Sequence, residues 1–193
     1  DIKLSTEMDT NTTAIKLSNR PRSTREQQES PCRRRIGTAL EIAQANKKGL
    51  NCQTISSLIN CLPNFLGCFA QDTLPEFIRP LCTLLVNVDS IYLPGSHWIA
   101  LGLFKDTLEI FDPLGFNMFL WESVPCDLLR FLHRYGQKRK VLISKRVQPL
   151  DSYHCGFYSM FYVFNRTHCS FDEIQHLLHS VKHNEHVLNK FFS

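Results

Sequence analysis

No run of roughly 18 or more apolar residues occurs in this chain, which excludes a membrane-crossing helix. The first thirty residues also lack an apolar core of the signal-peptide kind, so no secretory leader is expected. No Cys-x-x-Cys pair exists, which argues against a structural zinc centre, and no metal is expected. The eight cysteines (32, 52, 61, 68, 82, 126, 155 and 169) form no tight framework. Without an export signal they point to reduced thiols in an intracellular setting. Over most of the chain there is also no excess of charge. Residues 1–50 carry ten Lys/Arg against six Asp/Glu, leaving twelve of each for residues 51–193. The net charge of +4 therefore resides in the first quarter.

What is present suits one compact domain with some added length: 193 residues, 43% of them hydrophobic. Residues 1–31 are rich in Thr, Ser, Asn, Gln and Arg, and cannot bury enough apolar surface to offset ordering. With the basic run Arg33–Arg35 they read as a flexible basic arm, residues 1–36. Residues 37–193 read as a single domain. Helices are expected over Thr38–Lys48 and Thr54–Leu62, and strands over Leu81–Val88, His97–Phe104, Leu108–Phe111 and Lys140–Val147. Lys105-Asp106 reads as a hairpin turn. Asp127–Tyr135 has helical spacing and stops at Gly136. His154–Phe164 is apolar nearly all round and reads as a buried helix. Ser170 and Glu173 form a capping box for a helix to about Val181, and a last helix covers about Glu185–Phe192. Strands in the middle with helices at both ends predict an α+β fold: a central, mostly antiparallel sheet flanked by helices.

Four residues suggest thiol chemistry, which needs a nucleophile, a base, a group that orients the base, and an oxyanion donor. Cys155 stands at the expected start of a helix, where free N–H groups favour a thiolate. Gly156 beside it leaves room for a substrate backbone. His97 opens a strand after the turn at Pro94-Gly95, and Asp112 ends the partner strand. A hairpin would bring their ends together, so the carboxylate can hold the imidazole tautomer. Gln148 lies seven residues before Cys155, and its amide can donate to an oxyanion. Taken singly, each has an ordinary explanation: a buried cysteine, a structural histidine, a turn aspartate before proline, a loop glutamine. Together they point to an enzyme.

The segments Gly95-Ser96-His97-Trp98, Phe111-Asp112-Pro113-Leu114-Gly115-Phe116 and Gln148…Cys155-Gly156-Phe157 resemble the adenovirus-type proteinase (adenain) family. Relatives of that family occur in DNA viruses and Maverick/Polinton transposons. The order His, acid, Gln, Cys is shared with the SUMO proteases of the same clan. The resemblance implies an α+β cysteine endopeptidase with His97, Asp112 and Cys155 as triad and Gln148 at the oxyanion. It implies Trp98 and Gly156 along the substrate channel, and capsid or core precursor proteins, cut near glycine, as substrates. It implies a monomer in the nucleus or virion that needs no cofactor for its chemistry but is open to activation by DNA or a peptide. The acid departs from adenain, which uses glutamate. No cysteine lies between Cys126 and Cys155 to match the one that binds adenain's activating peptide. Two readings stay open beside it: an isopeptidase for ubiquitin-like proteins, and a non-enzymatic DNA-associated binding protein. For the latter, Arg130, Arg134, Lys138, Arg139, Lys140, Lys145 and Arg146 form a stretch without Asp or Glu, a candidate for non-specific polyanion contact.

Overall fold

The computed structural model describes residues 31–115 and 124–193. Residues 1–30 of the expected arm, and Phe116, lie outside them. Helices α1 (Pro31–Asn46) and α2 (Cys52–Ile59) lead into strand β1 (Phe65–Ala70). Strands β2 (Cys82–Asn87), β3 (Trp98–Leu103) and β4 (Thr107–Phe111) follow, then α3 (Cys126–Gly136) and β5 (Lys140–Ile143). Helices α4 (Cys155–Asn165), α5 (Phe171–Leu177) and α6 (Asn184–Phe192) complete the chain.

The five strands lie in the order β1-β2-β3-β4-β5. The α+β class with a sheet between helices is as expected, but the sheet is evenly mixed rather than mostly antiparallel. Its centre, β2-β3-β4, is antiparallel, while β1 and β5 each join in parallel. A parallel neighbour needs a crossover, and α3 supplies it between β4 and β5. Side chains alternate between the two faces of each strand. Leu85, Ala100 and Phe111 face α1, α2, α4 and α6, whereas Leu84, Val86, Ile99, Leu101 and Ile110 pack with α3. Helix α4 is buried from Cys155 through Val163, which explains its all-round apolar sequence. It approaches β3 over Ala100 and Gly102; a methyl on Gly102 would collide with Tyr162 Oη and the Phe104 ring. Glu109, fully buried on β4, locks the same interface. It accepts from Tyr162 Oη at 2.7 Å and, in a two-pronged pair, from Arg166 Nε and Nη2 at 2.8 and 2.9 Å.

Five expectations change. Helix α1 begins at Pro31, not Thr38, and takes in Arg33–Arg35. Ile36, Leu40 and Ala43 form a buried stripe at helical spacing, and Arg33 docks the same helix on α6, donating to the Phe191 carbonyl and lying 4.4 Å over its ring. Strand β1 carries a stretch to which no element was assigned. Strand β5 ends at Ile143 and α5 at Leu177, each earlier than Val147 and Val181. Cys61 is disulfide-bonded, against the expectation of reduced thiols throughout. Spacing alone does not reveal such a bond, because it depends on tertiary proximity. Among the described residues no helix is long and apolar enough to cross a membrane.

Candidate active site

The β3–β4 pairing sets Ala100 opposite Phe111, so the residue before β3 and the residue after β4 emerge at one end of the sheet. These are His97 and Asp112, with Nε2 and Oδ1 2.7 Å apart. Asp112 is held on every side. Its Oδ1 also accepts from Leu114 N–H at 2.9 Å. Its backbone N–H donates to Ser144 Oγ at 2.8 Å, and Ser144 Oγ donates back to its carbonyl at 2.9 Å. Just past β5, Ser144 keeps its backbone N–H on the Ile110 carbonyl at 2.9 Å while its hydroxyl clasps the Asp112 backbone.

Cys155 is the first residue of α4, where backbone N–H groups have no intrahelical partner. Cys155 is among the groups that act on the His97 imidazole. With Nε2 on Asp112, the Nδ1 edge of the imidazole is left for the thiol. Burial disfavours a charge on His97, but the hydrogen bond and charge of Asp112, with a contribution from Cys155, outweigh it and raise its pKa to about 9. The site therefore favours an imidazolium beside Asp112.

Gln148 arrives by a different route. The Pro113 carbonyl, next to Asp112, accepts from both Val147 N–H and Gln148 N–H at 2.9 Å. The Gln148 side chain is buried, and its Nε2 donates to the Ser152 carbonyl at 2.8 Å. Turning the amide over would set its oxygen against that carbonyl, so the orientation is determined. An amide carries two N–H bonds, and one remains for another acceptor. Its Oε1 is buried without a partner among the described residues.

The structure thus pairs His97 with Asp112 by a hydrogen bond and brings Cys155 to bear on the same imidazole, with Gln148 tied to the turn that follows Asp112. It does not set Trp98 and Gly156 along an open channel. Both are buried, and a methyl on Gly156 would meet Ile55, Trp98 and Leu50 at 3.4–3.5 Å. Trp98 Nε1 donates to the Leu50 carbonyl at 2.8 Å. Trp98 belongs to the apolar face of β3, so it supports the first turn of α4 from within. The basic stretch is divided as well. Lys145 and Arg146 follow β5 at the His97 end of the sheet, while Lys138 and Lys140 lie at the opposite end. Arg130 pairs with Asp127, Arg134 donates to the Glu76 carbonyl, and Arg139 donates to the carbonyls of Phe104 and Tyr135. Ser144, Pro113 and Ser152 escaped sequence reasoning because their contribution is a hydroxyl or carbonyl placed by the fold. A cavity of about 820 Å³ lies on the α3 side, lined by residues such as Leu108, Leu129 and Val141, and none of His97, Asp112, Gln148 and Cys155 lines it.

The sequence profile of the adenovirus endoprotease family matches residues 65–187. No curated protein matches the chain. Among solved structures it is similar to the ASFV pS273R protease, in the crystal structure of its selenomethionine form, at 25% identity and a TM-score of 0.40. That match covers 59% of this chain and 44% of the other, so the chain spans less than half the length of that protein. The family match takes in β1 to the first turn of α6, more than half of the chain, with His97, Asp112, Gln148 and Cys155 inside it: the chain belongs to the adenovirus endoprotease family of cysteine peptidases.

Proposed function

We propose that the chain is a thiol endopeptidase. Cys155 attacks the peptide carbonyl, and the new C–S bond leaves a negative oxygen that accepts from Gln148 and the Cys155 N–H. His97, charged in the resting pair, gives its proton to the leaving amine as the C–N bond breaks. It then takes a proton from the water that cleaves the thioester. Asp112 holds the imidazole ring in place throughout. The observation that carries this reading is the 2.7 Å bond between His97 and Asp112, with Cys155, at the first turn of α4, acting on the same imidazole. By the resemblance, the substrates are structural precursor proteins cut beside glycine, in a nucleus or virion. DNA is a candidate activator through exposed Lys145 and Arg146, which follow β5 on the site's end of the sheet.

A thiol-directed peptide probe ending in a glycine electrophile tests the reading. Cys52 and Cys126 are exposed and free, whereas Cys155 is buried, so accessibility alone favours the wrong thiols. Fast labelling confined to Cys155, and lost in Cys155→Ser and His97→Ala, is expected. Labelling led by Cys52 or Cys126, or unchanged in His97→Ala, overturns it. Turnover of ubiquitin-like conjugates in place of peptides would instead identify an isopeptidase.

A further inference from the structure

Glu185 belongs to none of the groups assigned above, yet the loop joining Gln148 to Cys155 hangs on it. Its Oε1 accepts a short hydrogen bond from Ser152 Oγ and pairs with His154 Nδ1 at 3.0 Å. His154 is buried and immediately precedes Cys155, and its backbone N–H donates to Ser152 Oγ at 3.3 Å. The neighbouring Asn184, also buried, donates from Nδ2 to the Val147 carbonyl at 2.9 Å. The first turn of α6 therefore grips the loop at both ends, beside Gln148 and beside Cys155.

We infer that Glu185 is a positioning residue for the oxyanion donor: it fixes Ser152, whose carbonyl holds one N–H of Gln148 and so aims the other at the reacting carbonyl. This rests on the peptidase reading and adds to it a residue outside the four that carry the chemistry. The physical argument is preorganisation. A glutamine side chain has three rotatable bonds, and ordering it costs conformational entropy. A donor already anchored before the substrate arrives does not incur that cost in the transition state. The anchor is needed here because the Gln148 Oε1 has no partner among the described residues to hold the amide from its other side. If Ser152 shifts, the amide is free to rotate.

A merely structural Glu185 would act regardless of Gln148, and a double-mutant cycle separates the two cases. Glu185→Ala and Ser152→Ala are made in the whole chain, alone and with Gln148→Ala, and assayed on a fluorogenic peptide with glycine at the cleaved bond. Each single variant is expected to lower kcat roughly tenfold or more, with KM within about twofold, because the oxyanion exists only in the transition state. In the Gln148→Ala background the same changes should cost less than about twofold, since the donor they aim is gone. Ser152→Ala removes a single hydroxyl and keeps the test open if Glu185→Ala fails to fold. Unchanged kcat in the single variants, or an equal loss in the Gln148→Ala background, overturns the inference alone. A wild-type chain with no turnover, or a Cys155→Ala chain with turnover, overturns the peptidase reading and this inference with it.

Discussion

Replacing Asp112 with asparagine keeps the shape of the side chain and removes its charge, which isolates one part of the balance at His97. In the native site burial pulls the imidazole toward neutrality, and Asp112 with Cys155 reverses that pull, raising the pKa from 6.5 to about 9. Such a rise corresponds to on the order of 3 kcal/mol in favour of the imidazolium. Asp112 is first among the groups that raise it, so without its charge burial regains the upper hand and the pKa falls back toward the ordinary value. The same reasoning sets a stability profile. His97 is raised above its unfolded value, so its contribution is fully present below pH 6.5 and is lost as the pH climbs through about 9. NMR titration of the ¹⁵N-labelled imidazoles, with His97 assigned by its absence in His97→Ala, measures the shift directly in the resting protein. The alkaline limb of peptide hydrolysis should move to lower pH in Asp112→Asn, and the loss of unfolding free energy between pH 6.5 and 9 should shrink. A His97 that still titrates near 9 in Asp112→Asn would refute the account, because the charge would then come from elsewhere.

Two further outcomes concern the interface between α4 and the sheet. Glu109→Ala leaves the buried Tyr162 hydroxyl and the half-buried Arg166 guanidinium without their carboxylate and should destabilise the fold by about 3 kcal/mol in urea denaturation; a loss below about 1 kcal/mol would mean the pair is solvated. Gly102→Ala forces a methyl against Tyr162 and Phe104, and should lower stability by about 1–3 kcal/mol and reduce peptidase activity in step, since α4 carries Cys155.

Much of the site was legible before the fold was known, for a local reason. A hairpin is a short-range object: once Lys105-Asp106 is read as its turn, His97 and Asp112 must share its open end. The apolar run after Cys155 likewise has to be buried, and an all-round apolar helix has to lie beneath a sheet. The capping box of Ser170 and Glu173 closed as its spacing predicts, with Ser170 Oγ accepting from Glu173 N–H.

The amino-acid sequence by itself determined which residue types stand at the chain positions where strands and helices end, because periodicity, turns and caps act over a few residues. The tertiary structure alone decided what each of them faces. Trp98 follows His97 in sequence, yet the alternation of the strand and the seat of α4 turn it inward. The basic residues from Arg130 to Arg146 are continuous in sequence, yet β5 runs between them and separates their ends. Ser144, the Pro113 carbonyl, Ser152 and Glu185 carry no motif, because what they supply is a hydrogen bond set by contacts across 30 or more residues. Such contacts form only when distant elements pack, and no local pattern in the chain encodes them.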